Sequence, residues 1–341
     1  MTADEETMER YTEAVLRELR RREGRFTADT LYFGGGTPSL LGGRRLAAIV
    51  REATRLFGLS GAEITMEANP ADDLAETFAA FAAAGGNRVS LGLQSADDDA
   101  LRALGRRHTA AQVETAVEAA RRAEIGNLSL DLMLGLEGQT PAGVRRSVAA
   151  CADMGATHVS AYLLKIEPGT PFARRTLDLP DEEATAELYE TACDALEARG
   201  YRQYEISNFA KDGYQSRHNL KYWNSDPTVG IGPAAHSFFG GRRLSMPRDL
   251  SAFLQGRQPT PEPADPTVGD NTLAEYAMLR LRLTEGLTEA GCRERFGAGI
   301  PEEWRRRAGR LPDGLVVCDE AGLRLTRQGF LLSNAILAAI L

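Results

Sequence analysis

The segment Leu31-Tyr32-Phe33-Gly34-Gly35-Gly36-Thr37-Pro38-Ser39 is where residue types and spacing first suggest chemistry, because an apolar run enters three glycines and leaves through Thr37-Pro38. Successive glycines let a backbone approach a ligand and take up positive φ, and Thr37 is suited to cap a helix whose first residue is Pro38. The segment is not a dinucleotide fingerprint, since Ser39 stands where the third glycine of G-x-G-x-x-G belongs, and no Walker lysine follows. Alone, such a turn is as often structural as ligand-binding. It has company: Glu67 in Thr65-Met66-Glu67-Ala68-Asn69-Pro70, Gln94 at the end of Ser90-Leu91-Gly92-Leu93-Gln94, and Asp131 within Leu128-Ser129-Leu130-Asp131-Leu132-Met133. In parallel α/β architectures ligands bind at the C-terminal ends of the strands, so these side chains beside a glycine turn predict a polar-ligand site.

The elements that must position them alternate. Short β-rich runs cover residues 30–33, 63–68, 87–93, 128–134, 158–164 and 201–206, and helical stretches lie near 44–57, 71–84, 110–124, 141–154 and 181–199. In the first of these helices Leu46, Ile49, Val50, Ala53, Leu56 and Phe57 share one face. A β-plus-α repeat of this kind implies parallel strands joined by right-handed crossovers, in a barrel or an open sheet. The chain opens on a helix, about 4–22, with no strand before it. Residues 1–206 form the expected α/β domain, and 207–264 is a Gly-, Pro- and aromatic-rich connecting segment ending in Pro259, Pro261 and Pro263, with Pro266 just beyond. Residues 265–341 read as helices near 269–284, 287–296 and 301–308, strand-like pieces at 315–318 and 323–325, and a last helix from Thr326, a winged-helix-like order.

Composition excludes several classes. With 341 residues, 43% of them hydrophobic and 26% charged, the chain is of ordinary globular make-up, and no apolar run approaches the ~18 residues of a membrane span. An acidic N-terminus argues against a signal peptide, and a cytoplasmic location is expected. A net charge of -8 argues against nucleic acid as a partner. The four cysteines, Cys151, Cys193, Cys292 and Cys318, lack the short spacing that zinc or iron–sulfur loops need and read as small buried hydrophobes.

The strings already quoted resemble the radical S-adenosylmethionine (SAM) haem chaperones of the HemW family, relatives of oxygen-independent coproporphyrinogen III oxidase. So do Arg106-Arg107-His108, the run from Asp131 to Thr140, the run from Ile166 to Phe172, His218-Asn219-Leu220-Lys221-Tyr222-Trp223 and Leu325-Thr326-Arg327-Gln328-Gly329. The resemblance extends from about residue 8 to the C-terminus, with Leu134 and Glu137 where Tyr and Pro are usual. It implies a partial (β/α)6 barrel, here lacking its first strand, followed by a C-terminal helical domain. It also implies that backbone carbonyls of Gly34, Gly35 and Gly36, next to Thr37, hold the methionyl amino group of SAM. Glu67 would bond the ribose hydroxyls, and Gln94, Arg106 and Asp131 would line the pocket. These types suit the task, since carboxylates accept hydroxyl and ammonium donors and an arginine clamps a carboxylate. His218, four residues before Tyr222-Trp223, is the candidate haem ligand, imidazole being a common axial group. His236 is a weaker candidate, and His108 and His158 are expected to orient neighbours or cap strand ends.

The family's first strand ends in a C-x3-C-x2-C loop whose thiolates bind a 4Fe-4S cluster, and this chain starts where that loop would finish. The expectation is therefore that the 341-residue chain does not assemble the cluster. A start placed too far downstream is favoured over a shortened homologue, because a lost first strand bares the edge of the next. The expected function is a haem chaperone, possible as a homodimer, that delivers haem to haem-requiring respiratory membrane enzymes. The alternatives are a coproporphyrinogen III oxidase-like enzyme and a regulatory winged-helix protein.

Overall fold

The computed structural model describes residues 4–169, 172–257, 262–263 and 270–341. Most of the expected proline linker, and Thr170 and Pro171 of the string that begins at Ile166, lie outside the described residues. The chain divides into two compact units, one of residues 30–50 and 61–215, the other of residues 4–29, 51–60 and 216–341.

The first unit is built on a seven-stranded sheet: β1 (Thr30–Phe33), β2 (Glu63–Ala68), β3 (Arg88–Gln94), β4 (Asn127–Leu134), β5 (His158–Leu163), β6 (Arg202–Gln203) and β7 (Asn208–Ala210), in the order β1-β2-β3-β4-β5-β7-β6. β1 to β5 run parallel and adjacent in chain order. Right-handed crossovers between sequential neighbours place the crossover helices on one face of such a sheet and leave the other as an interior. The crossover helices are Gly43–Phe57, Ala75–Ala83, Ala110–Arg122 and Pro141–Asp153, with Glu182–Glu197 following β5. Several start at side-chain caps: Thr109 forms a capping box with Gln112, and Thr140 and Asp181 accept the N–H of Gly143 and Ala184.

β2 to β5 alternate between these faces, up to the register shift between Gly92 and Gln94 at the end of β3. Towards the helices point Ile64, Met66 and Ala68, Val89, Leu91 and Leu93, Leu128, Leu130, Leu132 and Leu134, then Val159 and Ala161, none more than 8% exposed. The opposite face carries Thr65 and Glu67, Arg88 and Ser90, Ser129 and Asp131, His158 and Ser160. Burial of the apolar set, roughly 1.5–3 kcal/mol for each large side chain, holds this unit together.

The strand expected at 201–206 differs from the repeat. β6 covers two residues, and the neighbour of β5 is β7, which runs antiparallel to both β5 and β6. The cause is local: the buried Glu205 carboxylate accepts the N–H of Ser207 (3.2 Å), closing a turn that sends Asn208–Ala210 back along β5.

In the second unit the opening helix, Glu5–Arg20, begins at Asp4, whose carboxylate accepts the Thr7 N–H at 2.7 Å. Ser216 caps the helix Arg217–Trp223 in the same way. β8 (His236–Phe239), β9 (Arg242–Ser245) and β10 (Glu262–Pro263) form an antiparallel sheet. After the helix Leu273–Arg280 come β11 (Leu287–Thr288), β12 (Val316–Cys318) and β13 (Gly322–Leu325), ordered β11-β13-β12, with helices Glu289–Phe296, Glu302–Ala308, Arg327–Leu331 and Ser333–Ile340. This is the winged-helix-like order expected, with β11 as a further strand. Among the described residues no helix is long and apolar enough to cross a membrane.

Candidate functional site

The glycine turn and Glu67 are joined directly. Glu67, near the end of β2, accepts the Tyr32 hydroxyl at 2.7 Å and the Gly35 N–H at 3.3 Å. Gly34 lies so close that a Cβ there would meet the Tyr32 ring at 2.6 Å and Glu67 Oε1 at 3.1 Å, so only glycine lets the turn lie against this pair. Gly35 and Gly36 both have φ +79°, with open space on the side where a Cβ would stand. Pro38–Leu41 is one 3-10 turn rather than the α-helix start expected, and Thr37 makes no side-chain cap bond to it. With φ -136° and ψ 86°, Thr37 has its backbone outside the extended geometry of the Asp4, Thr109 and Thr140 caps.

Behind this turn the inner face of the sheet is polar layer by layer. Strand register sets Thr65 beside Arg88, then Glu67, Ser90, Ser129 and His158 in a row, then Gly92, Asp131, Ser160 and Asn208 in the next. Asp131 accepts the Ser90 hydroxyl at 3.2 Å and that of Ser160. Burial pushes its carboxyl up to about 6, against the pull of Ser160, the Arg88 charge and Ser90, while the Glu67 charge adds to the rise. His158, fully buried, stands between the Ser129 hydroxyl and the Tyr204 hydroxyl, each 2.8 Å from a ring nitrogen. Burial and then the Arg88 charge hold it well below the usual imidazole range, so the ring is neutral. Glu205, 1% exposed, is pushed up to about 7 by burial, opposed by N–H donors of Ser207 and Asn208.

Gln94 ends β3 at a register shift, with φ 66°, and its side-chain amide folds back over Gly92, where a Cβ would meet Nε2 at 2.6 Å. The amide therefore covers the position that pairs with Asp131. Arg106 is exposed in the loop after the helix Asp98–Ala103; its charge reaches His108, whose Nε2 lies 3.4 Å from the Leu93 carbonyl near the end of β3. The structure thus brings Gly34, Gly35, Glu67, Gln94 and Asp131 to one end of one sheet, and leaves Arg106 exposed in a later loop. His218 belongs to the other unit, where its Nε2 is 2.8 Å from the Tyr222 hydroxyl and the two rings meet edge to face.

The residues that sequence reasoning passed over are Arg88, Ser90, Ser129, Ser160, Glu205 and Asn208. A signal for four of them was present: within runs apolar enough to be strands, polar residues recur at i and i+2, as in Arg88/Ser90 and Ser129/Asp131. Cys151, Cys193 and Cys292 are buried as expected, but Cys318, the last residue of the short strand β12, is exposed; burial raises the thiols of Cys151 and Cys292 above their ordinary range, to about 11 for Cys292. No three His, Cys, Asp or Glu among the described residues are placed to hold a metal. Thiols this far apart in the chain, with no three grouped among the described residues, do not fit a cluster that needs three thiolates.

The Radical SAM superfamily profile matches residues 2–151. The heme chaperone HemW of Bacillus subtilis is 35% identical over 92% of this chain and 85% of its own length. HemW of Escherichia coli is 38% identical over 75% of this chain and 69% of its own, and the bovine mitochondrial radical S-adenosyl methionine domain-containing protein 1 is 32% identical over 99% and 81%. The structure of Escherichia coli coproporphyrinogen III oxidase, HemN, a radical SAM enzyme, superposes with a TM-score of 0.80 over 98% of this chain and 83% of that one, at 20% identity, which shows a shared fold. Identity of this extent, over nearly the whole chain and carried on the radical SAM fold, places the protein in the HemW family of the radical SAM superfamily.

Proposed function

We propose that the protein binds SAM at the glycine-turn end of the sheet and carries haem, through His218, to haem-requiring respiratory membrane enzymes. It does so in the cytoplasm, as a monomer or a homodimer. The observation that carries the SAM assignment is the Glu67 clamp. A carboxylate offers about four lone-pair sites, and Tyr32 and Gly35 use two, so two remain for ribose hydroxyls beside a turn whose Gly35 and Gly36 are open. The turn carbonyls hold the methionyl ammonium group, Asp131 and Gln94 line the far wall, and Arg106, which no carboxylate pairs among the described residues, takes the ligand carboxylate. SAM supplies a sulfonium for reductive cleavage when a cluster is present, and the thiols described here do not provide one. Carrying haem needs no such step. Membership of a family of haem chaperones supports the haem assignment, and the likeness to coproporphyrinogen III oxidase supports only the fold.

Two titrations test this. Haem added to the wild-type protein should give a Soret band at saturable stoichiometry, and His218→Ala should weaken binding at least tenfold; no spectral change in the wild type overturns the carrier reading, and an unchanged His218→Ala overturns the ligand. Calorimetric titration with SAM should show binding that Glu67→Gln weakens about tenfold, one lost charge-assisted hydrogen bond being worth about 1.5 kcal/mol. Equal affinity in the two proteins would remove Glu67 from the site.

A further inference from the structure

Arg88 has no role in the reading above, and its surroundings are unusual. It is the first residue of β3 and only 2% exposed, yet among the described residues its Nε–H has no acceptor. Its register neighbour Thr65, 0% exposed, also has an unpartnered hydroxyl, and Asn208 Oδ1 on the same face is a third orphan. A buried, incompletely bonded guanidinium is costly and persists where opposite charge offsets it through space. The acids on this face are Glu63, buried two residues before Thr65 on β2, and, further up, Glu67 and Asp131. Asp131 feels the Arg88 charge, and so does Tyr32, which donates to Glu67.

We propose that Arg88 is a positioning residue for the candidate site: from the base of the inner face its guanidinium keeps the Asp131 carboxyl ionised, an acceptor only, and so sets the pH window in which the site accepts ligand hydroxyl and ammonium donors. The ligand half of this statement rests on the SAM reading. The groups around Asp131 make the assignment specific. Tyr32 faces it from β1, Glu67 from β2, Ser90 from β3, His158, Ser160 and Tyr162 from β5, and Asn208 from β7, with Glu205 close to Tyr162; Cys151, on the helix Pro141–Asp153, senses its charge from behind. His158 is neutral, the tyrosines are protonated, and the other carboxyls repel. Among these described groups Arg88 is the cation that acts on Asp131, whereas Arg106, the other cation of the proposed pocket, is exposed on a loop. Without it, burial and the Glu67 charge act on Asp131 against the Ser160 bond, the strongest of the lowering influences, and the Ser90 bond, and a protonated Asp131 would turn one acceptor oxygen into a donor.

The test uses the ligand-free protein first. With aspartate carboxyl carbons labelled, the NMR titration midpoint of Asp131, assigned by its loss in Asp131→Asn, should rise by at least one pH unit in Arg88→Met and return towards wild type in Arg88→Lys. SAM affinity measured across pH should follow, falling at least tenfold near pH 7 in Arg88→Met. A folded Arg88→Met with an unmoved Asp131 midpoint overturns the proposal. Should Arg88→Met fail to fold, the double variant Arg88→Met/Asp131→Asn decides: recovery of folding supports the pairing, and continued failure refutes it. A wild type that binds no SAM at any pH, with the Asp131 midpoint still moved by Arg88→Met, removes the SAM reading and leaves the charge relation standing.

Discussion

The two faces of β2 to β5 are made from alternate residues of the same strands and have opposite chemistry. The helix-facing residues are aliphatic and almost wholly buried, whereas the inner residues are serines, carboxylates, an arginine and a histidine that are mostly just as buried. A barrel whose only task is stability fills its interior with branched aliphatic side chains. Here the inner row at the level of Asp131 reads Gly92, Asp131, Ser160 and Asn208. One face supplies the folding free energy, and the other gives some of it up to hold charge and hydrogen-bonding groups beneath a ligand site.

Breaking the aliphatic face should have the largest effect. Leu130 is fully buried between inner neighbours Ser129 and Asp131, so Leu130→Ala should cost about 3 kcal/mol in chemical denaturation. The pH profile of SAM binding should not move; a shifted profile would mean that the two faces are coupled rather than separate.

The buried carboxyl in the turn between β6 and β7 should respond in the opposite direction. Glu205 has its carboxyl raised to about 7 in the fold, so the folded protein binds a proton there more tightly than the unfolded chain does. Stability from this group is complete below the unfolded value of about 4.5 and is lost as pH rises through about 7. Glu205→Gln, which is always neutral, should therefore be more stable than wild type at pH 8 by on the order of 2 kcal/mol, with the difference vanishing by pH 4. Thermal melts at the two pH values check this, and a variant less stable than wild type at pH 8 would show the carboxylate to be held by donors strong enough to offset its burial.

The aliphatic face was plain in the sequence, and the polar face only in part. Runs such as Val89-Ser90-Leu91 and Leu128-Ser129-Leu130 announce strands through their apolar members, and the glycine turn, Glu67, Gln94 and Asp131 stand out because they interrupt or end those runs. Arg88 and His158 open their strands, where a polar residue reads as a solvent-exposed boundary. The recurrence with Ser90 and Ser160 two residues on hints that they share a face with those serines, and inter-strand register shows that this face is inward and buried. The hairpin of β6 and β7 was illegible for a related reason: nothing in Tyr201–Ile206 marks Glu205 as a buried carboxylate that turns the chain. His218 was legible as chemistry but not as geometry, since its partner Tyr222 is visible in the spacing while its unit is defined by long-range contacts.

The smallest effect sharpens the contrast between the faces. Ser129 and Leu130 are adjacent and equally enclosed, at 1% and 0% exposure, but Ser129 contributes one hydrogen bond where Leu130 contributes a packed side chain. Ser129→Ala removes the bond to His158 without opening a sizeable cavity, so it should cost about 1 kcal/mol, near a third of the Leu130→Ala loss. His158 then keeps the Tyr204 hydroxyl on Nε2 and has a bare Nδ1, and because an unpartnered buried N–H costs more than an unpartnered lone pair, the neutral ring settles in the tautomer that donates from Nε2 to Tyr204. Nitrogen NMR of the His158 ring should show a protonated Nε2 and a bare Nδ1 in Ser129→Ala, more sharply distinct than in the wild type. A loss as large as that of Leu130→Ala would mean that the Ser129–His158–Tyr204 chain is structural support for the sheet itself, and the division of labour between the two faces would fail at its base.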